Sequence, residues 1–174
     1  MTSYADFLDR DVFSTVGQTA DELGMPCYVV GGFVRDKFLD RPIKMDLDFV
    51  TVGSGIELAK AVQKKLSPQP KLSVFKSFGT AHMNHKGVDL EFVGARKESY
   101  QRDSRNPIVE DGTLADDQNR RDFTINAMAI SLNANLWGEL IDPFDGIADL
   151  AKKLLRTPLN PDKTFDDDPL RMMR

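Results

Sequence analysis

Apolar residues recur at Phe7, Leu8, Val12, Phe13, Val16, Ala20 and Leu23, a spacing that predicts a helix over 6–23, closed by Gly24 and Pro26. The apolar run "CYVV" (27–30) predicts a short buried strand ending at Gly31-Gly32, and "FVRDKFL" (33–39) a short helix opened by that glycine turn. Alternation in "MDLDFVTV" (45–52) predicts a strand, and "GIELAKAVQKKL" (55–66) an amphipathic helix. Three further strands are expected at "LSVFKSF" (72–78), "TAHMNH" (80–85) and "VDLEFVGA" (88–95), with turns at Gly79 and at Lys86-Gly87. Residues 97–119 are polar and lack a period, which predicts a loop. "FTINAMAIS" (123–131) predicts a helix, "LWGELID" (136–142) a strand and "GIADLAKKLL" (146–155) a helix. Hairpins beside crossover helices predict an α+β (mixed α/β) fold, a small mixed sheet with helices packed on it.

Composition narrows the class without fixing the chemistry. With 174 residues, 41% hydrophobic and 29% charged, the chain reads as globular, one domain or one domain plus the start of another. A net charge of −4 argues against coating of nucleic acid by bulk charge, yet leaves room for a local basic site. No apolar run approaches the roughly 20 residues that span a bilayer, so no membrane partner is expected. "MTSYADFLDRDVF" is acidic and amphipathic, unlike a signal or transit peptide. The single Cys27 permits no internal disulfide, reads as a buried, inert thiol and fits a reducing cytoplasm. "FDDDPLRMMR" starts like an amphipathic helix and stops without a cap or breaker, which predicts a piece of a longer protein. Nothing in the pattern bears on oligomeric state.

Five constellations carry chemistry. On a strand, Asp46 and Asp48 of "DLD" share one face while Leu47 and Phe49 take the other. Paired carboxylates repel unless a cation sits between them, and a hard ion such as Mg²⁺ takes one or two carboxylates plus substrate phosphates. Alone, the pair reads first as the solvated acidic face of a strand. Asp89 and Glu91 share a face of "VDLEFV", and either could supply a third acid to a two-metal site. Gly31-Gly32 lets backbone approach a phosphate, and Arg35 and Asp36 follow within one helical turn. In "RRDFTINAM" (120–128), arginine forks suit phosphate oxygens, and Asp122 and Asn126 lie four apart on one face of the predicted helix. Asp168 and Arg171 are three apart on the last predicted helix, as an acceptor and a fork that could read a base edge or form a surface ion pair. His82 and His85 lack the further ligands that a zinc site needs.

Taken in order, GGxVRD, DxD, an acidic strand followed by Arg96, RRDFTINAM, DPFDGIADLAKKLLRT and DDPLRMMR resemble the bacterial-type tRNA nucleotidyltransferase and poly(A) polymerase family. That family belongs to the polymerase-beta-like nucleotidyltransferases, and the resemblance covers roughly residues 25–174. It implies a polymerase-beta-like head at 1–156 and the start of a helical neck at 157–174, cut short, with tRNA bound mainly by neck, body and tail domains that follow in the family. Asp46, Asp48 and Glu91 match the metal-binding, catalytic acids, and Gly31, Gly32 and Arg35 the triphosphate turn, with Asp36 shaping the site. Arg121, Asp122 and Asn126 match the phosphate and ribose motif, and Asp168 and Arg171 the pair that recognises incoming CTP or ATP. The family usually shows Glu-Asp where this chain has Asp167-Asp168, a departure that keeps the charge at 167 on a shorter side chain. The implied reaction is template-independent addition of CMP and AMP to a tRNA 3′ end (CCA addition), with two Mg²⁺ ions. Poly(A) addition or partial CC- or A-addition is the alternative within the family. A small-molecule nucleotidyltransferase and a non-catalytic nucleotide-binding fragment stand further off.

Overall fold

A computed structural model describes residues 3–42, 45–99 and 108–173. Nine strands and six α-helices are present among them: β1 (Cys27–Val30), α2 (Gly32–Phe38) and β2 (Asp46–Thr51) follow α1 (Asp11–Glu22). Then come α3 (Gly55–Lys65), β3 (Leu72–Phe75), β4 (Thr80–His85), β5 (Val88–Gly94), β6 (Arg96–Ser99) and β7 (Ile108–Asp111). The chain continues through α4 (Leu114–Asn119), β8 (Ala129–Ser131), β9 (Leu140–Ile141), α5 (Gly146–Lys152) and α6 (Pro161–Asp167). Seven strands form one sheet in the order β3-β4-β5-β2-β1-β8-β9, and β6 and β7 form a separate ribbon. Only β2 and β5 run parallel in the large sheet. The predicted mixed α+β architecture is the observed one.

One face of the sheet carries the core. Leu47 and Phe49 of β2 and Leu90 and Phe92 of β5 are buried against Phe13 of α1 and Leu58 and Val62 of α3. Phe49 and Phe92 stack with ring centroids 5.0 Å apart. Burying such side chains contributes about 1.5–3 kcal/mol each. Because a strand alternates, the same packing turns Asp46, Asp48, Asp89 and Glu91 to the opposite face. The core therefore places the acids.

Several elements differ from the sequence expectation. The helix expected over 6–23 is a 3-10 turn at Ala5–Phe7 and, after a break at Arg10 in extended geometry, α1. Packing of Tyr4 and Phe7 against Phe38, at 4.9 and 5.1 Å, holds that break. Residues 97–119 are not a single loop: β6 pairs with β7, and α4 opens on a capping box between Thr113 and Asp116. The remainder of that loop, 100–107, lies outside the described residues. "FTINAMAIS" is not a helix but a 3-10 turn at Thr124–Asn126 followed by β8, which pairs with β1. Ala127, Met128, Ala129, Ile130 and Leu132 are all buried, and an apolar run this short has no period to separate strand from helix. The strand expected at 136–142 reduces to two residues, β9, after a 3-10 turn at Ala134–Leu136. No helix among the described residues is long and apolar enough to cross a membrane.

Candidate active site

The parallel pairing of β2 and β5 sets Asp46 beside Asp89 and Asp48 beside Glu91. Their neighbourhoods differ. Asp89 Oδ1 accepts from Asn84 Nδ2 at 2.9 Å and lies 3.1 Å from His82 Nε2, so this carboxylate is tied to β4. The Asn84 donor and His82 hold its pKa below the ordinary carboxylate value. Asp48 behaves oppositely: burial, then the charges of Asp46 and Glu91, push its carboxyl up to about 6 against the pull of Arg121. Asp46, Asp48 and Glu91 thus share one field, which leaves Asp89 outside it.

Among the described residues, no three His, Cys, Asp or Glu side chains converge into a cage that could hold a metal alone. The three acids offer hard oxygens with partial coordination. Such a donor set fits Mg²⁺, which shares its octahedron among one or two carboxylates, water and phosphates. His82 is committed to Asp89, and neither it nor His85 joins a zinc-type cluster.

β1 ends against this acidic face, with Val30 paired to Asp48. Gly31 follows at φ 72, ψ −130, a conformation open in practice only to glycine. A Cβ there would lie 3.4 Å from Arg121 Nη1, 3.6 Å from Asp48 Oδ2 and 3.9 Å from the Asn126 carbonyl oxygen. The bare turn is the floor between an acid and an arginine. Gly32 starts α2, which is only 7 residues long, so close backbone approach matters more here than a helix dipole.

Two arginines flank the turn, each gripped by a buried carboxylate. Arg35 aims Nε and Nη2 at Asp36 Oδ1, at 2.9 and 2.8 Å, and its Nη1 donates to Asn126 Oδ1 at 2.7 Å. Arg121 aims Nε and Nη2 at Asp117 Oδ2, at 3.1 and 2.9 Å, and its Nη1 donates to the Asn126 carbonyl at 3.3 Å. Asn126 therefore joins both forks, and its Nδ2 donates to Asp122 Oδ1 at 3.1 Å. The Asp122–Asn126 contact expected on a helix is made across a 3-10 turn instead. Asp149, on α5, fastens that turn by accepting from Thr124 Oγ1 at 2.6 Å and from Arg156 Nε at 3.0 Å.

Asp168 and Arg171 do not share a helix. α6 stops at Asp167, Asp168 is extended at φ −149 ahead of Pro169, and a 3-10 helix covers Pro169–Met173. A residue before proline avoids the helical region, which is the reason for the break. Asp168 Oδ1 accepts from the Leu170 amide at 3.2 Å, and buried Arg171 donates from Nη1 to the Thr164 carbonyl at 3.4 Å. Arg171 lines a cavity of about 200 Å³ with Arg120, Lys97 and Lys163. The structure thus gathers Gly31, Arg35, Asp48, Arg121, Asp122 and Asn126 around one turn and sets Arg171 at a neighbouring cavity.

Asp117 was invisible to sequence reasoning, since it fell inside the expected loop. A usable signal existed: it lies three and four residues before the two arginines, the spacing of a helical ion pair.

Comparison with known proteins identifies the family and the fold. Residues 27–156 match the poly A polymerase head domain family. An A-adding tRNA nucleotidyltransferase of Aquifex aeolicus is 46% identical over 147 residues, 84% of this chain and 17% of that protein. A CCA-adding enzyme of Lactobacillus helveticus is 35% identical over 159 residues, 90% of this chain and 37% of that protein. A tRNA nucleotidyltransferase crystallised with a primer tRNA and an incoming ATP analog superposes with a TM-score of 0.77 at 42% identity, covering 91% of this chain and 42% of that one. An apo CCA-adding enzyme gives a TM-score of 0.86 at 37% identity, covering 99% and 42%. The chain spans less than half the length of these relatives. With a family match over residues 27–156 and a fold shared with solved relatives, the chain belongs to the poly(A) polymerase head-domain family.

Proposed function

We propose that this chain is the catalytic head of a tRNA nucleotidyltransferase that adds AMP and CMP to the 3′ end of tRNA. The observation that carries the reading is the meeting of Asp46, Asp48 and Glu91 with Arg121 at the bare Gly31 turn. The head would run to Arg156 and a helical neck would begin at Thr157; RNA would be held mainly by domains of the kind the family carries after the head. Relatives whose structures were solved with ATP, with CTP and with primer tRNA support nucleoside triphosphate and tRNA as partners.

In this mechanism the RNA 3′-oxygen attacks the α-phosphorus of ATP or CTP. The new O–P bond forms as the bond to the β-phosphate oxygen breaks; pyrophosphate leaves, and the hydroxyl proton passes to solvent. Arg35 and Arg121 hold phosphate oxygens with the N–H groups that their clamps leave over. The Gly31-Gly32 turn lets those phosphates approach backbone, Asp122 and Asn126 orient the ribose, and Asp168 and Arg171 meet the base edge. Asp46, Asp48 and Glu91 would hold two Mg²⁺ ions, which make the attacking oxygen more acidic and neutralise charge on the leaving pyrophosphate. Catalysis is then chiefly positioning and charge stabilisation.

A second reading, addition of the terminal A alone, is favoured by the A-adding activity named for the Aquifex aeolicus relative. Incubating the protein that carries this chain with tRNA lacking CCA, or lacking only its final A, separates the two. CCA addition extends both substrates with ATP and CTP, whereas A-addition extends only the second. The same assay tests the acids: Glu91→Gln is expected to lower the rate by about 100-fold or more, and Asp89→Asn to leave it within a few-fold. Equal losses from both would contradict the assignment of Glu91 over Asp89.

A further inference from the structure

Arg121 owes its direction to a residue outside every motif named above. Asp117, on α4, is fully buried at 0% exposure, and its two oxygens divide between the consecutive arginines. Oδ2 takes Arg121 through Nε and Nη2, and Oδ1 takes Arg120 through Nε at 3.0 Å and through Nη2. Burial works against this charge, but the two guanidinium groups outweigh it and hold the carboxyl below its ordinary pKa. With Nε and Nη2 of Arg121 held by Asp117, the remaining edge of its fork must face the other way. That edge carries Nη1, the atom 3.4 Å from where a side chain on Gly31 would begin. The Asp36–Arg35 pair across the turn uses the same grip, and Asn126 links the two.

We propose that Asp117 is the positioning residue that aims Arg121 at the substrate's phosphates, as Asp36 aims Arg35. The inference rests on the nucleotidyltransferase reading. Asp117 is shut off from solvent and does not touch substrate; its effect passes through the guanidinium. A flexible four-bond side chain released from this clamp would sample many directions, and phosphate binding would carry the entropy of fixing it again.

The test is calorimetric titration of the 174-residue chain with ATP and, separately, inorganic triphosphate, both with Mg²⁺. Asp117→Asn is expected to raise Kd for both probes by roughly 10- to 100-fold, as loss of an outer supporting partner does elsewhere. Arg121→Gln should weaken binding by a similar factor, and the double variant should weaken it no further, because both changes remove one device. A general loss of structure would instead add to the Arg121→Gln effect, and that additivity would overturn the proposal. Should Asp117→Asn fail to fold, Asp117→Glu keeps the charge while displacing the carboxylate, and is expected to raise both Kd values several-fold. A folded Asp117→Glu or Asp117→Asn variant with unchanged Kd would sink the proposal while leaving the functional reading intact. Failure of the unsubstituted chain to bind either probe would sink both.

Discussion

Asp48→Asn is expected to abolish nucleotide transfer and, in the same protein, to raise the stability of the metal-free chain. The two effects share a cause. Asp48 sits part-buried between Asp46 and Glu91, so its ionised form is disfavoured and its pKa stands at about 6. The rise from 3.8 to about 6 corresponds to about 3 kcal/mol. Relaxation of the site and water entry reduce the expected gain from the amide to about 1–2 kcal/mol. The sign with pH follows from proton binding. The folded chain binds a proton at Asp48 more tightly than the unfolded chain does, so stability is higher near pH 4 and declines as pH rises towards 6, where the group ionises in both states. Thermal melts of the metal-free chain between pH 4 and 8 should show this decline in the native sequence, and Asp48→Asn should remove that part of it. Mg²⁺-dependent ATP binding should run the other way, strengthening as pH rises through about 6, because a cation and a proton compete for the same carboxylate. A variant that kept full activity, or that lost stability, would contradict the placement of Asp48 in a strained acidic site.

Gly31→Ala should come next in size. At φ 72 and ψ −130 the added Cβ strains the backbone, which costs of order 1–3 kcal/mol. It also stands 3.4 Å from Arg121 Nη1 and 3.6 Å from Asp48 Oδ2, in the space a phosphate needs. ATP turnover is expected to fall by about 100-fold. Gly24→Ala is the control, since Gly24 also has a positive φ, 65, but nothing lies within 4 Å of its Cβ position. It should lose stability without losing ATP binding. If Gly31→Ala behaved like Gly24→Ala, the turn would be structural alone.

The parts of this site that were readable in the sequence are those governed by local rules. Period-two alternation in "DLDFV" and "DLEFV" separates acids from core whatever the surroundings, and two glycines after an apolar strand announce a turn that excludes side chains. The parts that were not readable depend on partners distant in sequence. Asp89 and Glu91 share a face, and only the His82 and Asn84 side chains of β4 reveal which is engaged elsewhere. β8 is a strand because β1 offers it an edge, a fact that "NAMAIS" does not contain. Asp117 lies in a polar stretch without a period, and only its complete burial against two arginines sets it apart from its neighbours. Asp168 and Arg171 had a helical spacing, yet Pro169 ends the helix between them. In each case local propensity gave way to packing or to a neighbouring ring.

The central claim is that one acidic strand pair and two clamped arginines bind a nucleoside triphosphate with its metal. Its most direct test is titration of the chain with ATP and CTP, with and without Mg²⁺, beside the Asp46→Ala/Asp48→Ala variant. The account predicts Mg²⁺-dependent binding of both nucleotides in the native chain, lost in the double variant. Binding that ignored Mg²⁺, or that survived removal of both carboxylates, would contradict it.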